Sequence, residues 1–492
     1  MTDRALRLLR ENPRLAGLAA FPFAFDIDRA AHGHVEEVRL ASGGPLDIVA
    51  GDDTGGTYFV CADGSVLYAD SEGSAGIVGS SVDEALEIMI GLAEVEEDEE
   101  DEEEVQQSRH LEKARAELRA ALGFPERSSA ELEAMLQAAL LRTEPDFLLL
   151  NAVEHNAYQL LDSYPRPPLW EPVLASGRAD LALLRAGDVA VRDALADDPV
   201  RRRLALRAAQ FDRAGGDLEI LRHLLRHEAK SSMTDELRLA ATLVGLRGDT
   251  GDLPLLHEVR ETDFDTACGL GGMPEPGASA DALREWAQEL DDTFFGADPA
   301  DEPLHTWTDL ARDQGMTELA RVALIRELDE IVMDQSRLRR TDTPQALTTA
   351  PLGALARHFE ELGDHTQALR AQRLYTALQE TAWDRVSALR DQARLERAAT
   401  RLQAAVRTLA ALRGILEDPA DDSLRDWQRV NLGRFIAEEH YALTRALAEA
   451  GLSEQARALL TAAHAILGEL AGNAAKGVRG LAEAAACVRE VS

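Results

Sequence analysis

Residues 355–378 read LARHFEELGDHTQALRAQRLYTAL. One helix-forming run ends at Gly363, and Ala368 follows five residues later inside the next. Glycine supplies the positive φ that closes a helix tightly, and a side chain as small as alanine lets the second helix approach the first. The stretch therefore reads as a helical hairpin. The arrangement recurs in LARDQGMTELARVALIREL, residues 310–328, with Gly315, Ala320, Ala323 and Leu328. It recurs again in LTRALAEAGLSEQARALLTAAHAIL, residues 443–467, with Gly451, Ala456, Leu459 and Leu467. In the middle copy the matching positions after Ala368 are Ala371 and Leu378.

These hairpins resemble tetratricopeptide repeats, and the resemblance covers residues 301–492. Their glycines, at 315, 363 and 451, lie 48 and 88 residues apart, whereas a regular array steps by about 34. The expectation is thus hairpins with insertions. Residues 180–260 read as a related helical solenoid of the HEAT type. Leu402, Ala405, Leu409, Leu412 and Leu416 step by three and four, a core-facing helical seam too short to specify a coiled coil. Trp286, Trp307, Trp383 and Trp427 are expected in the core of this helical body, with one available to line a groove.

The chain has 492 residues and a formal charge of −36, from 52 basic and 88 acidic side chains. Apolar residues make up 45% and aromatics only 5%, enough for a core and more favourable to helices than to an all-β protein. The charge argues against direct nucleic-acid binding, which needs clustered Lys and Arg, and against anionic membranes. It suits a basic protein partner, or serves solubility alone. Three widely spaced cysteines, Cys61, Cys268 and Cys487, fit a reducing compartment without a disulfide framework. Residues 1–12 contain no apolar signal core, and no apolar run approaches the ~18 residues of a membrane span. A cytoplasmic protein is expected.

Residues 94–104, EVEEDEEDEEE, are acidic at every position but Val95. Such a block repels itself and stays solvated, so residues 94–108 read as an acidic linker, or as a lure for a basic partner. Before it the pattern is mixed. Val35–Leu40, Leu46–Val49, Tyr58–Cys61, Val66–Tyr68 and Gly73–Val78 are short strand candidates, and Asp63-Gly64 is a hairpin turn. Then Val82, Ala85, Leu86, Met89 and Ile90 mark one face of a helix, with Ser81 and Glu84 as a capping box.

The stretch LDIVAGDDTGGTYFVCADGSVLYADSEGSAGIVGSSVDEALEIMIGL, residues 46–92, resembles the second half of SUKH-superfamily domains. The carrying features are a strand, the Gly-Asp-rich turn from Gly51 to Gly56, the hairpin through Asp63-Gly64 and a closing amphipathic helix. Residues 1–40 lack the Asn-Gly turn often seen near the start of that family. The resemblance implies a protein-binding fold without catalysis. Many bacterial members resemble immunity proteins that neutralise toxins, often nucleases, by direct binding. On that reading Asp52, Asp53, Tyr58, Tyr68 and Glu72 are the candidate partner-binding residues, and no cofactor or metal is expected.

Chemistry elsewhere has simpler readings. Cys268 precedes a Gly-rich turn, with His257 and His305 as candidate bases; a buried structural cysteine is the simpler expectation. Asp291, Gly296 and Glu302 match the first, sixth and twelfth positions of a calcium loop, but Phe295 stands where an oxygen ligand is needed. His223 and His227 have the spacing of two metal ligands on one helical face, yet no third ligand is evident in the sequence. His32 and His34 form a weaker pair. The expected architecture is a small α+β domain over 1–93, the linker, a helical region over 109–300 with a loop-rich insert near 262–310, and tetratricopeptide-like repeats over 301–492. The expected function is non-catalytic protein binding, with a helical-repeat scaffold lacking a toxin partner as the alternative and an enzyme using the 262–310 loops as a third possibility.

Overall fold

The computed structural model describes residues 4–93, 102–339 and 347–486. Most of them are helical, with a small sheet near the N-terminus followed by a body of many helices. Two compact units emerge. One comprises residues 1–33, 46–148 and 160–323, and the other residues 34–45, 149–159 and 324–492. Among the described residues no helix is long and apolar enough to cross a membrane.

In the first unit four strands form an antiparallel meander: Leu46–Gly51, Thr57–Cys61, Val66–Ala69 and Ser74–Gly79. A short strand, Gln159–Leu160, extends the last edge. The register sets Tyr58 opposite Tyr68 and Phe59 opposite Leu67, with Leu67 opposite Ile77. Phe59, Leu67 and Ile77 share one face and are all buried. Tyr58 and Val66, on the other face, share a core with four helices: Arg4–Glu11, Pro13–Ala20, Val82–Leu92 and Glu102–Leu122. Ser81 caps the Val82–Leu92 helix by accepting from Glu84 N at 3.1 Å, as the Ser-x-x-Glu pattern implies. The carboxylate of Glu84 reaches instead to Ser80 N, at 2.8 Å.

The expected boundary between 93 and 109 is not where this packing ends. Residues 94–101 lie outside the described residues, but residues 102–108 belong to the Glu102–Leu122 helix and not to a linker. That helix returns Leu111, Ala114, Leu118 and Leu122 to the N-terminal core. Arg115 Nε donates to Ile90 O at 2.8 Å, and its guanidinium also reaches Ala93 O. Both carbonyls lie at the end of the preceding helix, where orphaned acceptors and the negative dipole end favour a cation. The apolar face of the helix, with Leu111, Ala114, Leu118 and Leu122, decides where it packs.

The rest of the first unit is helical. Residues 262–310 are also largely helical, over Phe264–Gly269, Ala280–Phe294 and Leu304–Asp313, where a loop-rich insert was expected. Leu283, Trp286 and Ala287 lie on one face and enter the helical core. Three short Gly-Asp-apolar sequences, 187–189, 216–218 and 251–253, sit at helix starts. Asp217 and Asp252 are buried and each takes a bidentate grip from an arginine about thirty residues earlier. Arg185 holds Asp217 at 3.0 and 2.8 Å, and Arg222 holds Asp252 at 2.5 and 3.0 Å.

In the second unit the Val38–Leu40 strand forms, within the expected Val35–Leu40. It pairs with Leu149–Asn151, not with the four strands that follow it in sequence. The unit's helices include Ala350–Glu361, His365–Ala377, Ala382–Ala398, Leu402–Glu417, Asn431–Glu449 and Ser453–Glu469. Their core gathers Ala405, Leu409 and Leu412, with Leu402 and Leu416 at its edge, so the 3,4-spaced seam faces inward. Trp286, Trp307 and Trp427 are buried in their own units, and Trp383 is partly buried.

The three quoted glycines adopt one geometry. Gly315, Gly363 and Gly451 have φ of 79°, 73° and 78°. In each case the residue after the glycine donates to the carbonyl five positions back, at 2.8 Å: Met316 to Ala311, Asp364 to Phe359 and Leu452 to Leu447. This is the Schellman closure. Ala320, Ala368 and Ala456 are each fully buried. A fourth turn of the same form has no glycine. Thr400 has φ 58°, Arg401 N donates to Glu396 O at 2.8 Å, and Ala405 follows five residues later, fully buried.

Two expectations follow. Leu118→Ala should cost about 2–5 kcal/mol in denaturant unfolding, because Leu118 is fully buried in the N-terminal core. A cost near zero would show that the helix does not contribute to that core. Thr400→Gly should raise stability by about 0.5–1 kcal/mol. It removes roughly 1–2 kcal/mol of left-handed strain against roughly 0.4–1 kcal/mol of added unfolded-state entropy. Destabilisation by Thr400→Gly would contradict the left-handed geometry at that position.

Candidate functional site

The turns joining the first and second strands, and the third and fourth, lie at one end of the meander. They carry the five residues singled out in the sequence, or flank them, and the structure divides those residues in two. Asp53 and Glu72 are exposed, whereas Asp52 and Tyr58 are buried and Tyr68 is half-buried. The buried group is a frame. Asp52 Oδ1 accepts from Thr54 N at 2.9 Å, Thr54 Oγ1 at 2.8 Å and Gly56 N at 2.8 Å. Its Oδ2 accepts from the Tyr68 hydroxyl at 2.6 Å. The Tyr58 ring lies between Phe25 and Tyr68, at centroid distances of 5.1 and 4.7 Å.

Burial opposes ionisation of Asp52, but the donors from Tyr68, Thr54 and Gly56 outweigh it and hold the carboxyl below its usual value. Burial, followed by the hydrogen bond and charge of Asp52, pushes the Tyr68 phenol up. At neutral pH the pair is a carboxylate accepting from a neutral phenol. It ties the first turn, which carries the exposed Asp53, to the third strand, which leads into the turn that carries the exposed Glu72. Of the five expected partner-binding residues, Asp53 and Glu72 are the exposed ones. The turn chemistry was visible in the sequence; the burial of Asp52 and Tyr58 was not, because it depends on Phe25 and the N-terminal helices.

The other sequence candidates resolve differently. Asp291 lies within a helix and is held by Arg213 at 2.8 and 2.9 Å. Glu302 is buried; it accepts from Gly296 N at 2.7 Å and Gln210 Nε2 at 2.5 Å, and pairs with Arg207 at 3.2 Å. The apparent calcium-loop residues are therefore committed to arginines and backbone. Cys268 is exposed, not the buried structural cysteine expected, and His257 Nε2 is engaged with Pro274 O at 3.0 Å. Burial, then the Asp63 charge, pushes the Cys61 thiol up to about 12, which keeps it unreactive. A cleft of about 450 Å³ lies beside Gln210, Arg213, Asp291 and Phe295. A smaller one, about 220 Å³, is lined by Arg203, Arg207, Glu236 and His305. Buried Arg207, which also pairs with Glu236 at 2.8 Å, had no signature in the sequence beyond being an arginine within an apolar helix.

The second unit holds a polar loop that the sequence did not reveal. Asn151 Nδ2 donates to Glu36 at 2.7 Å, and the buried Tyr158 hydroxyl contacts Glu36 and His34, the latter at 3.1 Å. His155 is left-handed, with φ 64°, and its carbonyl accepts from Gln367 Nε2 at 2.7 Å. Asp329 accepts from Ala157 N at 2.9 Å and pairs with Arg370. Burial, then Arg39, Arg401 and Arg370, hold the His155 imidazole below its usual value. The loop is thus fixed by side chains far away in sequence, with His34 engaged on Tyr158.

The Asp52–Tyr68 pair makes a pH-dependent prediction. Tyr68→Phe should cost about 1.5–3 kcal/mol at neutral pH, the range for a hydrogen bond to a charged group. Because the folded carboxyl titrates below its unfolded value, this stability is present above the ordinary carboxylate range and is lost as pH falls through the folded value. The cost should therefore shrink on acidification, measured by urea unfolding at several pH values. A pH-independent cost would remove the carboxylate from the account. Comparison of the chain with family models, curated proteins and solved structures finds no match in any of the three.

Proposed function

We propose that the chain acts by binding a protein partner without catalysis, and that the acidic end of the N-terminal sheet is a contact surface. The observation that carries this reading is the division of labour at that end. Asp53 and Glu72 are exposed on neighbouring turns, the first tied to the third strand by the Asp52–Tyr68 hydrogen bond and the second closed by Asp70, whose carboxylate accepts from Glu72 N and Ser74 N at 2.9 and 2.8 Å. Preorganised charge of this kind adds complementarity without an ordering cost. The partner is basic, as the net charge of −36 favours, and a toxin or nuclease is the class implied by the SUKH resemblance. The order of strand, turn, hairpin and closing helix over residues 46–92 supports that resemblance. An acidic protein neutralising a basic toxin in the bacterial cytoplasm needs no cofactor, nucleic acid or membrane.

A second reading is a helical-repeat scaffold with no toxin partner. It is favoured by the four Schellman turns, each followed after five residues by a buried alanine. With Thr400 included, the turns at 363 and 400 stand 37 residues apart, near the ~34 of a tetratricopeptide array. The paired Arg185–Asp217 and Arg222–Asp252 grips, whose aspartates lie 35 positions apart, similarly support HEAT-like layering over 180–260.

Charge reversal separates the two readings. Partners captured from native cytosol on immobilised wild-type chain are identified by mass spectrometry, and their association rates are then measured. Asp53→Lys combined with Glu72→Lys should slow association on the order of tenfold or more and flatten its salt dependence. Both side chains are exposed, so the fold and melting temperature should be unchanged. Unaltered association with the same partner would discard the sheet end as a contact and leave the scaffold reading.

A further inference from the structure

We infer that the cleft of about 450 Å³ at the ends of the Pro199–Phe211 and Ala280–Phe294 helices is a site for the guanidinium group of an arginine side chain carried by a polypeptide partner. Its volume falls within the roughly 300–1,000 Å³ usual for ligand pockets. Its walls combine two aromatic rings, Phe211 and Phe295, with carboxylates and amides. Phe211 is the last residue of the first helix, and Phe295 follows the last residue of the second. Gln288 and Asp292 have i, i+4 spacing, so they share a helical face and reach the cleft together.

Charge sets the class of ligand. Arg213 is the one cation among the lining residues, and it is committed. Both its arms are held by Asp291, at 2.8 and 2.9 Å, and its Nε donates to Gln210 O at 2.8 Å. Asp292, by contrast, is exposed and has no cationic partner among the described residues. Its Oδ1 accepts from Gln288 Nε2 at 2.7 Å, which leaves Asp292 Oδ2 and Gln288 Oε1 without a donor among the described residues. Both lie near the C-terminal end of their helix, where the dipole and the orphaned carbonyls favour a positive charge. The last turn of that helix supplies no basic residue. The cleft thus carries uncompensated negative charge and acceptors that need donors, a combination that suits a cation and repels an anion.

The rings narrow the cation to a guanidinium. A planar guanidinium stacks on an aromatic face while its edge donates to carboxylate and amide oxygens; a compact, strongly hydrated ammonium does neither as well. The fold makes the same contact twice beside the cleft. Arg207 lies over the Phe295 ring, 5.7 Å from its centroid, and Arg238 over the Phe294 ring, at 4.3 Å. Arg207 does not line the cleft, so Phe295 presents to it a part of the ring that Arg207 leaves uncovered. The ring is also held in place. Phe295 N donates to Asp291 O at 3.0 Å. Gly296, the next residue, donates to Glu302 at 2.7 Å and accepts from Gln210 at 3.0 Å. An incoming arginine finds its ring and acceptors already positioned, which lowers the ordering cost of binding. None of the lining residues belongs to the N-terminal sheet, so this contact is separable from the acidic sheet end.

The test uses the full-length chain and the peptide acetyl-Gly-Arg-Gly-amide, with its lysine and citrulline counterparts, in saturation-transfer NMR and calorimetry. The arginine peptide should bind. The lysine peptide should bind several-fold more weakly, and the citrulline peptide, which keeps the shape and loses the charge, about tenfold more weakly or worse. Asp292→Asn retains an acceptor for Gln288 and alters only an exposed group; it should weaken binding of the arginine peptide by about tenfold or more. Phe295→Leu should weaken it several-fold by removing the ring. Asp53→Lys with Glu72→Lys should leave it unchanged, which keeps a failure of the sheet end distinct from a failure of the cleft. Absence of arginine-peptide binding, equal binding of the citrulline peptide, or binding unaltered by Asp292→Asn would overturn the proposal. Tighter binding of free arginine than of the peptide would overturn the polypeptide source.

Discussion

In a chain with 88 acidic and 52 basic side chains, the buried carboxylates of the first unit's helical part are held by arginines. Isolated buried charge is too costly to keep, and a planar guanidinium can satisfy two carboxylate oxygens at once. The helical part of the first unit is organised around this constraint. Glu228 is fully buried between Arg202 and Arg203, at 2.6 and 2.9 Å. Glu302 meets Arg207, Asp291 meets Arg213, Asp217 meets Arg185, and Asp252 meets Arg222. Each pair joins residues about 25 to 95 positions apart, so the arginines fix which helix lies against which. The apolar residues supply most of the driving force; the ion pairs select the arrangement. Arginine predominates over lysine in this chain, and a compact ammonium could not reproduce these forked contacts.

The second unit relies more on backbone closure. Its helices are joined by turns in which one left-handed residue lets two orphaned carbonyls find donors. The alanine five residues later then sits at the crossing, where a larger side chain would hold the helices apart. Thr400 meets the same demand at an energetic cost, since a β-branched residue is strained at positive φ. Three residues earlier, Arg397 holds the buried Glu439 through Nε and Nη2, at 2.7 and 3.0 Å.

The candidate contact surface was half legible. The Asp-rich turns and the Asp63-Gly64 hairpin announce themselves through local chemistry, because Asp side chains cap their own turns and glycine accepts positive φ. Asp63 does so here, accepting from Ser65 N and Oγ at 2.9 and 2.8 Å. Local chemistry cannot say which aspartate turns inward. Asp52 and Asp53 are adjacent and identical in type, and only the position of Tyr68 across the sheet assigns one to the frame and the other to solvent. The two N-terminal helices also went unread, although Asn12-Pro13 carries a start signal that the structure uses: Asn12 accepts from Arg14 N at 3.1 Å.

Periodicity and turn chemistry determined the elements themselves: the meander over 46–79, the helix beginning at Val82, the seam from Leu402 to Leu416 and the hairpins at Gly315, Gly363 and Gly451. These depend on interactions within a few residues, so a single chain segment contains the information. Tertiary structure alone decided the partners. It paired Val38–Leu40 with Leu149–Asn151, returned Leu118 across the acidic run to the N-terminal core, and set Asp193 and Asp197 opposite His223 and His227, at 3.2 and 3.3 Å. Each of these joins segments about thirty or more residues apart, where the contact is chosen by competition among many apolar faces and charged groups. That competition is settled by the packing of the whole unit, and no local pattern carries its outcome.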